Sequence, residues 1–117
     1  MERLRQRADF LAATGGVKAP SASFVLQARD RSDNGPVRFG FTVSRKVGNA
    51  AERNRVRRRL RELVRLNSEG VLQAGHDYVL VGRRAALSAA FSDLVADYGR
   101  AIARIHTMRR KPKPDAG

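Results

Sequence analysis

The chemistry that this sequence offers most clearly is the binding of phosphate groups by arginine. Residues 52–62 read ERNRVRRRLRE, so six of eleven positions are arginine, none is lysine, and Asn54 stands among them. A guanidinium is planar and always charged, and it can hold a phosphate through two hydrogen bonds or stack on a base. The amide of Asn54 both donates and accepts, so it could contact a base edge or a ribose hydroxyl. The segment predicts a nucleic-acid contact.

The alternative is a solvated helix surface held by ion pairs, and the charge count argues against it. Between residues 45 and 65 there are nine basic residues and only two acids. Arg57, Arg61 and Arg65 would also follow one another at four-residue spacing, where like charges on a helix repel each other. A polyanion would remove that repulsion. For Asn54 alone, a tolerated exposed polar residue stays open as the alternative to a nucleic-acid contact.

A strand and a helix must position these residues. In VRFGFTVS (37–44) apolar residues alternate with small or polar ones, which predicts a strand whose second face allows close approach at Gly40. The basic helix is expected to begin after Asn49, an N-cap residue, with Glu52 at the capping-box position. On a helical wheel the arginines surround this helix on every side except the buried one. Its predicted apolar stripe runs to about Leu66 and consists of Val56, Leu60, Leu63 and Val64.

The remaining segments complete an α+β fold, which we expect to be a two-layer α/β sandwich. They predict a helix at 8–13, strands at 23–28 and at 77–82, and a last helix that Ser88 caps and that extends to Ile105. The strand at 77–82 is nearly all apolar and should lie in the interior of the sheet. We expect residues 1–108 to form a single RNA-binding domain. Residues 109–117, with two prolines and little to bury, should form a basic flexible tail.

Composition limits the class of protein. A chain of 117 residues suits one domain, and its formal net charge of +13 favours a nucleic-acid partner, or less often an anionic membrane surface. The absence of cysteine excludes a disulfide framework, a thiolate nucleophile and a cysteine metal site. No apolar stretch approaches the ~18 residues of a membrane span, and no apolar core of a signal peptide follows the basic start. The sequence therefore predicts a cytoplasmic protein with no membrane partner.

A nuclease active site in the chain itself is not expected. Such a site needs a general acid and base about a phosphate, or carboxylates that hold Mg²⁺. The two histidines, His76 and His106, fall at the start of a strand and near the end of a helix, and the acids are scattered. We therefore predict no catalytic residue and no metal ligand in this chain.

The run RFGFTVSRKVGNAAERNRVRRRLRE (38–62) resembles the signature of the bacterial ribonuclease P protein subunit, in which an Arg-Asn-Arg helix follows a strand and a basic Val-Gly-Asn loop. The resemblance extends to RLRQRADF (3–10) and to DYVLVGRRAAL (77–87). It implies an α-β-β-β-α-β-α order with a left-handed β-α-β crossover, contrary to the usual right-handed rule. It also implies a shape similar to that of a ribosomal-protein domain.

The resemblance implies a function as well. The protein would bind a large catalytic RNA and the 5′ leader of precursor tRNA, and would assist the endonucleolytic removal of that leader. The RNA would carry the hydrolysis and would bind most of the required Mg²⁺, and no small-molecule substrate would be involved. The residues expected to meet the catalytic RNA are Arg45, Lys46, Arg53, Asn54, Arg55 and Arg58. Those expected to meet the leader are Phe10, Arg57, Arg61, Arg83 and Arg84.

Two positions depart from the family pattern. Thr14 stands where a second aromatic residue is common, and Gln27 stands where some members carry tyrosine. Stacking on the leader should therefore be weaker, or depend more on charge, than in relatives rich in aromatics. For Phe10 itself, packing in the core stays open as the alternative to a leader contact.

Two other functions stay open at this point. A structural or ribosome-associated RNA-binding protein would share the charge and the overall shape. A helix-turn-helix DNA-binding protein fits less well, because a strand and a loop precede the basic helix instead of a short partner helix.

Overall fold

The alternating segment around Phe39 lies within a single five-stranded sheet in the computed structural model, which describes residues 1–110. The strands are β1 (Glu2–Arg3), β2 (Val17–Pro20), β3 (Phe24–Asp30), β4 (Arg38–Thr42) and β5 (His76–Gly82). The helices are α1 (Arg7–Thr14), α2 (Ala50–Asn67) and α3 (Phe91–Arg110). Two short 3-10 turns, Arg45–Val47 and Arg84–Leu87, precede α2 and α3 respectively. The predicted α+β class is confirmed, and the order agrees with the family order except for the added strand β1.

The strand order across the sheet is β1-β4-β5-β3-β2. β4 runs parallel to both β1 and β5, whereas β3 runs antiparallel to both β5 and β2. The apolar strand β5 therefore lies at the centre, as its sequence predicted. Because β4 and β5 are adjacent and parallel, the chain must cross from one end of the sheet to the other between them, and α2 makes that crossover. The resemblance assigns its left-handed crossover to this β4-α2-β5 unit.

The main core lies between one face of the sheet and the helices α2 and α3. Phe39, Tyr78 and Leu80 face the helices from the sheet, and the register puts Phe39 beside Tyr78. From α2 the four residues of the predicted stripe are all buried. From α3 the buried residues at helical spacing are Leu94, Tyr98, Ala101, Ile102 and Ile105. Both amphipathic patterns are thus confirmed.

The opposite face of the sheet carries α1. A smaller cluster forms there from Leu4, Ala13 and Val79, with Phe10 packed against it. A Cβ atom at position 40 would lie 2.5 Å from the ring of Phe10, so only glycine lets the ring approach this closely. The close approach that the sequence predicted at Gly40 is therefore made by α1.

A buried carboxylate joins the three longest strands near one end of the sheet. Asp77 at the start of β5 is fully buried, and Arg38 donates to it from Nε at 2.8 Å and from Nη2 at 2.9 Å. Arg31 donates to the same carboxylate at 2.5 Å. We call this group the Asp77 cluster; its acids are Asp9, Asp33 and Asp77, and its arginines are Arg29, Arg31 and Arg38. Three carboxylates balance three guanidiniums.

The structure differs from the predictions at the start of α3, at two short strands and in the predicted tail. α3 begins at Phe91, and the expected cap Ser88 instead ends the preceding 3-10 turn, donating its N–H to Ala85. β1 and β2 were missed from the residue pattern because they are short edge strands, defined by their pairing with a neighbour and not by alternation.

Within residues 1–110, no helix is both long enough and apolar enough to span a membrane. Of the predicted tail, residues 109 and 110 belong to α3, and 111–117 lie outside the described residues.

Candidate nucleic-acid interface

The start of α2 is fixed by a reciprocal pair of hydrogen bonds. The side chain of Asn49 accepts from the backbone N–H of Glu52 at 2.8 Å, and the carboxylate of Glu52 accepts from the N–H of Asn49 at 3.0 Å. The predicted capping box is confirmed. The hydrogen bond from the Asn49 backbone, with help from Arg84, lowers the pKa of Glu52 below its usual value. Glu52 therefore stays ionised and anchors the first turn of the basic helix.

Arg84 braces this helix start from the turn before α3. Its Nη1 donates to the carbonyl of Val47 at 2.5 Å, and its Nη2 lies 3.3 Å from a carboxylate oxygen of Glu52. Arg83 donates to the carbonyl of Ser21 at 2.7 Å. Each of these two predicted leader-binding arginines thus has part of its guanidinium committed to the protein. The structure places Arg84 beside the basic turn at 45–47.

The basic surface of α2 is formed by side chains that point away from the core. We call it the basic face; it consists of Arg55, Arg57, Arg58 and Arg61 on α2, with Arg45 and Lys46 from the preceding turn. Of these six side chains, only that of Arg57 forms a hydrogen bond or ion pair with another described residue, donating to Oδ1 of Asn54 at 3.0 Å. Asn54 therefore positions Arg57, and its amide nitrogen stays available for another acceptor.

Two hollows on α2 share Arg58 as a common wall. One, of about 530 Å³, lies over the exposed side of the helix and includes Asn54, Arg57 and Arg61. The other, of about 300 Å³, lies toward the helix start and includes Asn49 and Arg55. The structure thus brings five of the predicted site residues to one continuous surface: Asn54, Arg55, Arg57, Arg58 and Arg61. Unpaired guanidiniums around shallow hollows suit phosphates of an extended chain better than a small enclosed ligand.

Arg53 does not lie on the outward side of α2, where the helical wheel predicts the arginines. It is three residues before Val56 and seven before Leu60, so it falls on the apolar side of α2. Its side chain is partly buried, and its Nε is buried with no hydrogen-bond partner in the described part of the chain. The prediction that the arginines leave the buried side clear was wrong at this position, and the i−3 and i−7 spacing to the stripe was the signal.

Arg59 serves the fold on the other flank of α2. It donates to the carbonyl of Ala86 at 2.5 Å and to that of Ala89 at 2.6 Å. These two carbonyls lie in the turn before α3, so Arg59 ties α2 to that turn. Its neighbours in sequence gave no sign of this role, because the acceptors are backbone atoms from another part of the chain.

Phe10 and Arg61 lie on opposite sides of the sheet. Phe10 packs with α1 over Gly40, whereas Arg61 borders a groove over Phe41 on the side that carries α2. The partial burial of Phe10 agrees with a role in packing, and leaves part of its ring exposed. That both residues meet one leader stays a prediction.

The side chains that could perform acid–base chemistry form hydrogen bonds within the fold. The hydroxyl of Tyr78 lies 3.2 Å from Nε2 of His106, and Nδ1 of His76 lies 2.9 Å from the carbonyl of Ala74. Burial, partly offset by the hydrogen bond between Ser68 and Tyr98, raises the pKa of Tyr98 to about 12. No three His, Asp or Glu side chains within the described residues come together in a way that could hold a metal ion.

Comparison with known proteins decides the family. The family model described as Ribonuclease P matches residues 1–106. The chain belongs to the ribonuclease P protein family. The ribonuclease P protein component of Gluconacetobacter diazotrophicus is 50% identical over 101 residues, which cover 86% of this chain and 87% of the relative. That of Bartonella quintana is 43% identical, covering 86% of this chain and 80% of the relative.

Solved structures agree with this assignment. The ribonuclease P protein of Thermotoga maritima is 32% identical, with a TM-score of 0.74 over 90% of this chain and 98% of that one. That of Staphylococcus aureus has a TM-score of 0.73 over 90% of this chain and 97% of that one, and at 23% identity it shows the fold alone. The chain is therefore a ribonuclease P protein subunit of the bacterial type, an RNA-binding component of a tRNA-processing ribonucleoprotein, and the ribonuclease P RNA is its partner.

The two departures from the ribonuclease P family pattern have different surroundings. Thr14 is exposed at the end of α1, where its hydroxyl donates to the carbonyl of Leu11. Gln27 is buried in β3, and the register puts it beside Val79, on the α1 side of the sheet. Neither residue offers an aromatic ring to a ligand.

Proposed function

We propose that this subunit binds the catalytic RNA of ribonuclease P through the basic face and the start of α2. The observation that carries the proposal is a contrast in pairing: Arg31, Arg38, Arg59 and Arg84 meet carboxylates or carbonyls, whereas five of the six side chains of the basic face meet neither among the described residues. Phosphates of an RNA would supply the missing acceptors. The residues proposed to contact this RNA are Arg45, Lys46, Arg53, Asn54, Arg55 and Arg58.

We further propose that the subunit contacts the 5′ leader of precursor tRNA. Arg61 supports this proposal, because it borders both the larger hollow on α2 and the exposed aromatic surface at the edge of the sheet, and Arg57 shares that hollow with it. Phe10 has part of its ring available on the other face. Arg83 and Arg84 complete the proposed set, with the parts of their guanidiniums that no protein group occupies.

The hydrolysis itself is assigned to the RNA subunit. The described carboxylates support this assignment, because they are scattered or paired with arginine. In this proposal Mg²⁺ is bound mainly by the RNA, and the protein contributes RNA and leader binding. The cytoplasmic location predicted from the sequence is part of the same proposal.

Cleavage of a precursor tRNA by a bacterial ribonuclease P RNA at a few millimolar Mg²⁺ tests the proposal. The reaction is run with the RNA alone, with this protein alone, and with both. We expect efficient cleavage only with both. If about six cations reach phosphates, the logarithm of the binding constant should fall with the logarithm of salt at a slope of about −4 on single strands to about −5 on duplex.

Two results would contradict this function. Cleavage by the protein alone would assign the chemistry to this chain. Tight binding of the RNA with no stimulation of cleavage would instead favour a structural or ribosome-associated RNA-binding role.

A further inference from the structure

A groove at the edge of the sheet, separate from the two hollows on α2 and on the opposite side of the sheet from Phe10, has the chemistry of a base-binding site. It lies between β1, β4 and α2 and has a volume of about 200 Å³. Its lining includes Arg3, Phe39, Phe41, Arg61, Val64 and Arg65. We call it the edge groove.

The floor of the edge groove is aromatic. Phe39 stacks on Phe41 with ring centroids 5.2 Å apart and on Tyr78 with centroids 5.8 Å apart. Tyr78 and Phe39 are buried, whereas Phe41 at the end of this row is partly exposed. A flat ring placed on Phe41 would extend the row outward, as an unstacked nucleobase does on an aromatic side chain.

The walls of the edge groove carry positive charge. The side chains of Arg3 and Arg61 form no ion pair or hydrogen bond with any other described residue, and Arg65 is paired with Glu62. One acid, Glu2, also borders the groove, so the arginines outnumber it. An aromatic floor between unpaired guanidiniums suits a base with its adjoining phosphates and does not suit a purely apolar ligand.

Arg61 connects this groove to the basic face, because it also borders the larger hollow with Arg57. A strand of RNA that passes Arg57 and Arg61 would therefore reach Phe41 next, before it could reach Phe10 on the other face of the sheet. Single-stranded RNA can turn out a base into such a site, whereas a paired helix cannot.

We propose that the edge groove binds one nucleobase of the single-stranded 5′ leader, stacked on Phe41 and flanked by Arg3 and Arg61. This inference rests on the proposed function, since it assumes that the leader passes Arg57 and Arg61. It gives the leader an aromatic contact at a position that is independent of Phe10, Thr14 and Gln27.

The test uses the assembled holoenzyme and precursor tRNAs that carry 2-aminopurine at one leader position at a time. Stacking quenches the fluorescence of this base, so one position should be quenched on binding. Phe41→Leu keeps an apolar side chain against the core but removes the ring, and should abolish that quenching. It should also weaken binding of the leader-bearing substrate about tenfold while leaving mature tRNA unaffected.

A second test variant is Arg3→Ala, in the wall of the groove. Phe91→Leu is the control for Phe41→Leu, and Arg104→Ala is the control for Arg3→Ala. Phe91→Leu makes the same substitution at a partly buried phenylalanine on α3, and Arg104→Ala removes an exposed arginine far from the groove. Arg3→Ala, on the exposed strand β1, should lower leader affinity without affecting the core. We expect both controls to behave as the wild type does.

Three outcomes would overturn the inference while leaving the proposed function intact. The wild-type holoenzyme could cleave normally with no leader position quenched. Phe41→Leu could weaken leader-bearing and mature tRNA equally. It could also weaken assembly with the catalytic RNA, which would assign the groove to that RNA. A failure of the proposed function would look different, because the wild-type protein would then not stimulate cleavage at all.

Discussion

The arginines of the Asp77 cluster and those of the basic face differ in what lies opposite their charge. In the cluster, a fully buried carboxylate accepts from Arg31 and Arg38, and Asp9 and Asp33 balance the remaining charge. On the basic face, guanidiniums such as that of Arg58 have neither a carboxylate nor a carbonyl partner within residues 1–110. The same residue type therefore stabilises the fold in one region and is available for a polyanion in the other.

The number of arginines in a segment does not by itself identify a binding surface. Arg59 lies in the middle of the basic run, yet backbone carbonyls already occupy its guanidinium. Arg84 likewise helps to hold the start of α2. The arginines proposed to bind the catalytic RNA are those for which the described residues provide no side-chain acceptor.

The largest expected effect comes from neutralising the centre of the Asp77 cluster. Asp77→Asn keeps the shape of the side chain but leaves Arg31 and Arg38 without their shared buried carboxylate. Breaking such a buried pair by removing one partner typically costs about 3–5 kcal/mol. Urea denaturation should show this loss, whereas Asp93→Asn, at an exposed acid on α3, should leave the midpoint nearly unchanged. Equal effects of the two variants would show that the buried carboxylate of Asp77 does not stabilise the fold more than an exposed acid does.

The same carboxylate should make stability depend on acid. Burial acts to raise the pKa of Asp77, but hydrogen bonds from Arg38 and Arg31 outweigh it and hold the pKa below its usual value. A lowered folded pKa gives stability that is present above the unfolded value of about 3.9 and is lost as pH falls through the folded pKa. Each unit of lowering corresponds to about 1.4 kcal/mol.

Unfolding free energies measured between pH 5 and pH 2.5 check this prediction. Part of the decline in the wild type should be absent in Asp77→Asn. The part that remains belongs to other acids with lowered pKa values, such as Asp33, Glu52 and Glu62. An identical pH dependence in both proteins would contradict the assignment to Asp77.

On the basic face the expected pattern is reversed. Arg58→Ala removes a guanidinium with no described protein partner, so the urea midpoint should stay within error. Affinity for the catalytic RNA should fall about tenfold, and the salt slope should decrease in magnitude by about one. Filter binding over a salt series measures both quantities. A loss of stability with unchanged RNA affinity would show that Arg58 serves the fold.

The smallest expected effect separates the leader from the catalytic RNA. The double variant Arg57→Ala with Arg61→Ala should weaken binding of precursor tRNA to the holoenzyme several-fold more than binding of mature tRNA. The reason is that Arg61 borders the edge of the sheet and Arg57 shares the larger hollow with it. Equilibrium binding of both substrates to the assembled holoenzyme checks this. Equal losses would remove the proposed division within the basic face.

The sequence correctly predicted the features that depend on residues close together in the chain. The capping box of Asn49 and Glu52, the apolar stripe of α2 and the alternation around Phe39 all depend on residues a few positions apart. The charge excess was likewise a matter of counting. The prediction that Ser88 caps α3 was wrong, because the start of α3 depends on the preceding turn. Arg59 of α2 holds the carbonyls of that turn.

By itself, the sequence determined the three helices, the three longest strands, the surplus of arginine and the resemblance to the family. Only the tertiary structure decided which arginines are available. The partners of Asp77 lie 46 and 39 residues away along the chain, and those of Arg59 lie 27 and 30 residues away. The side of the sheet on which Phe10 and Phe41 each lie was decided in the same way. Such contacts arise from the way that strands and helices pair in space, and no local pattern specifies that pairing.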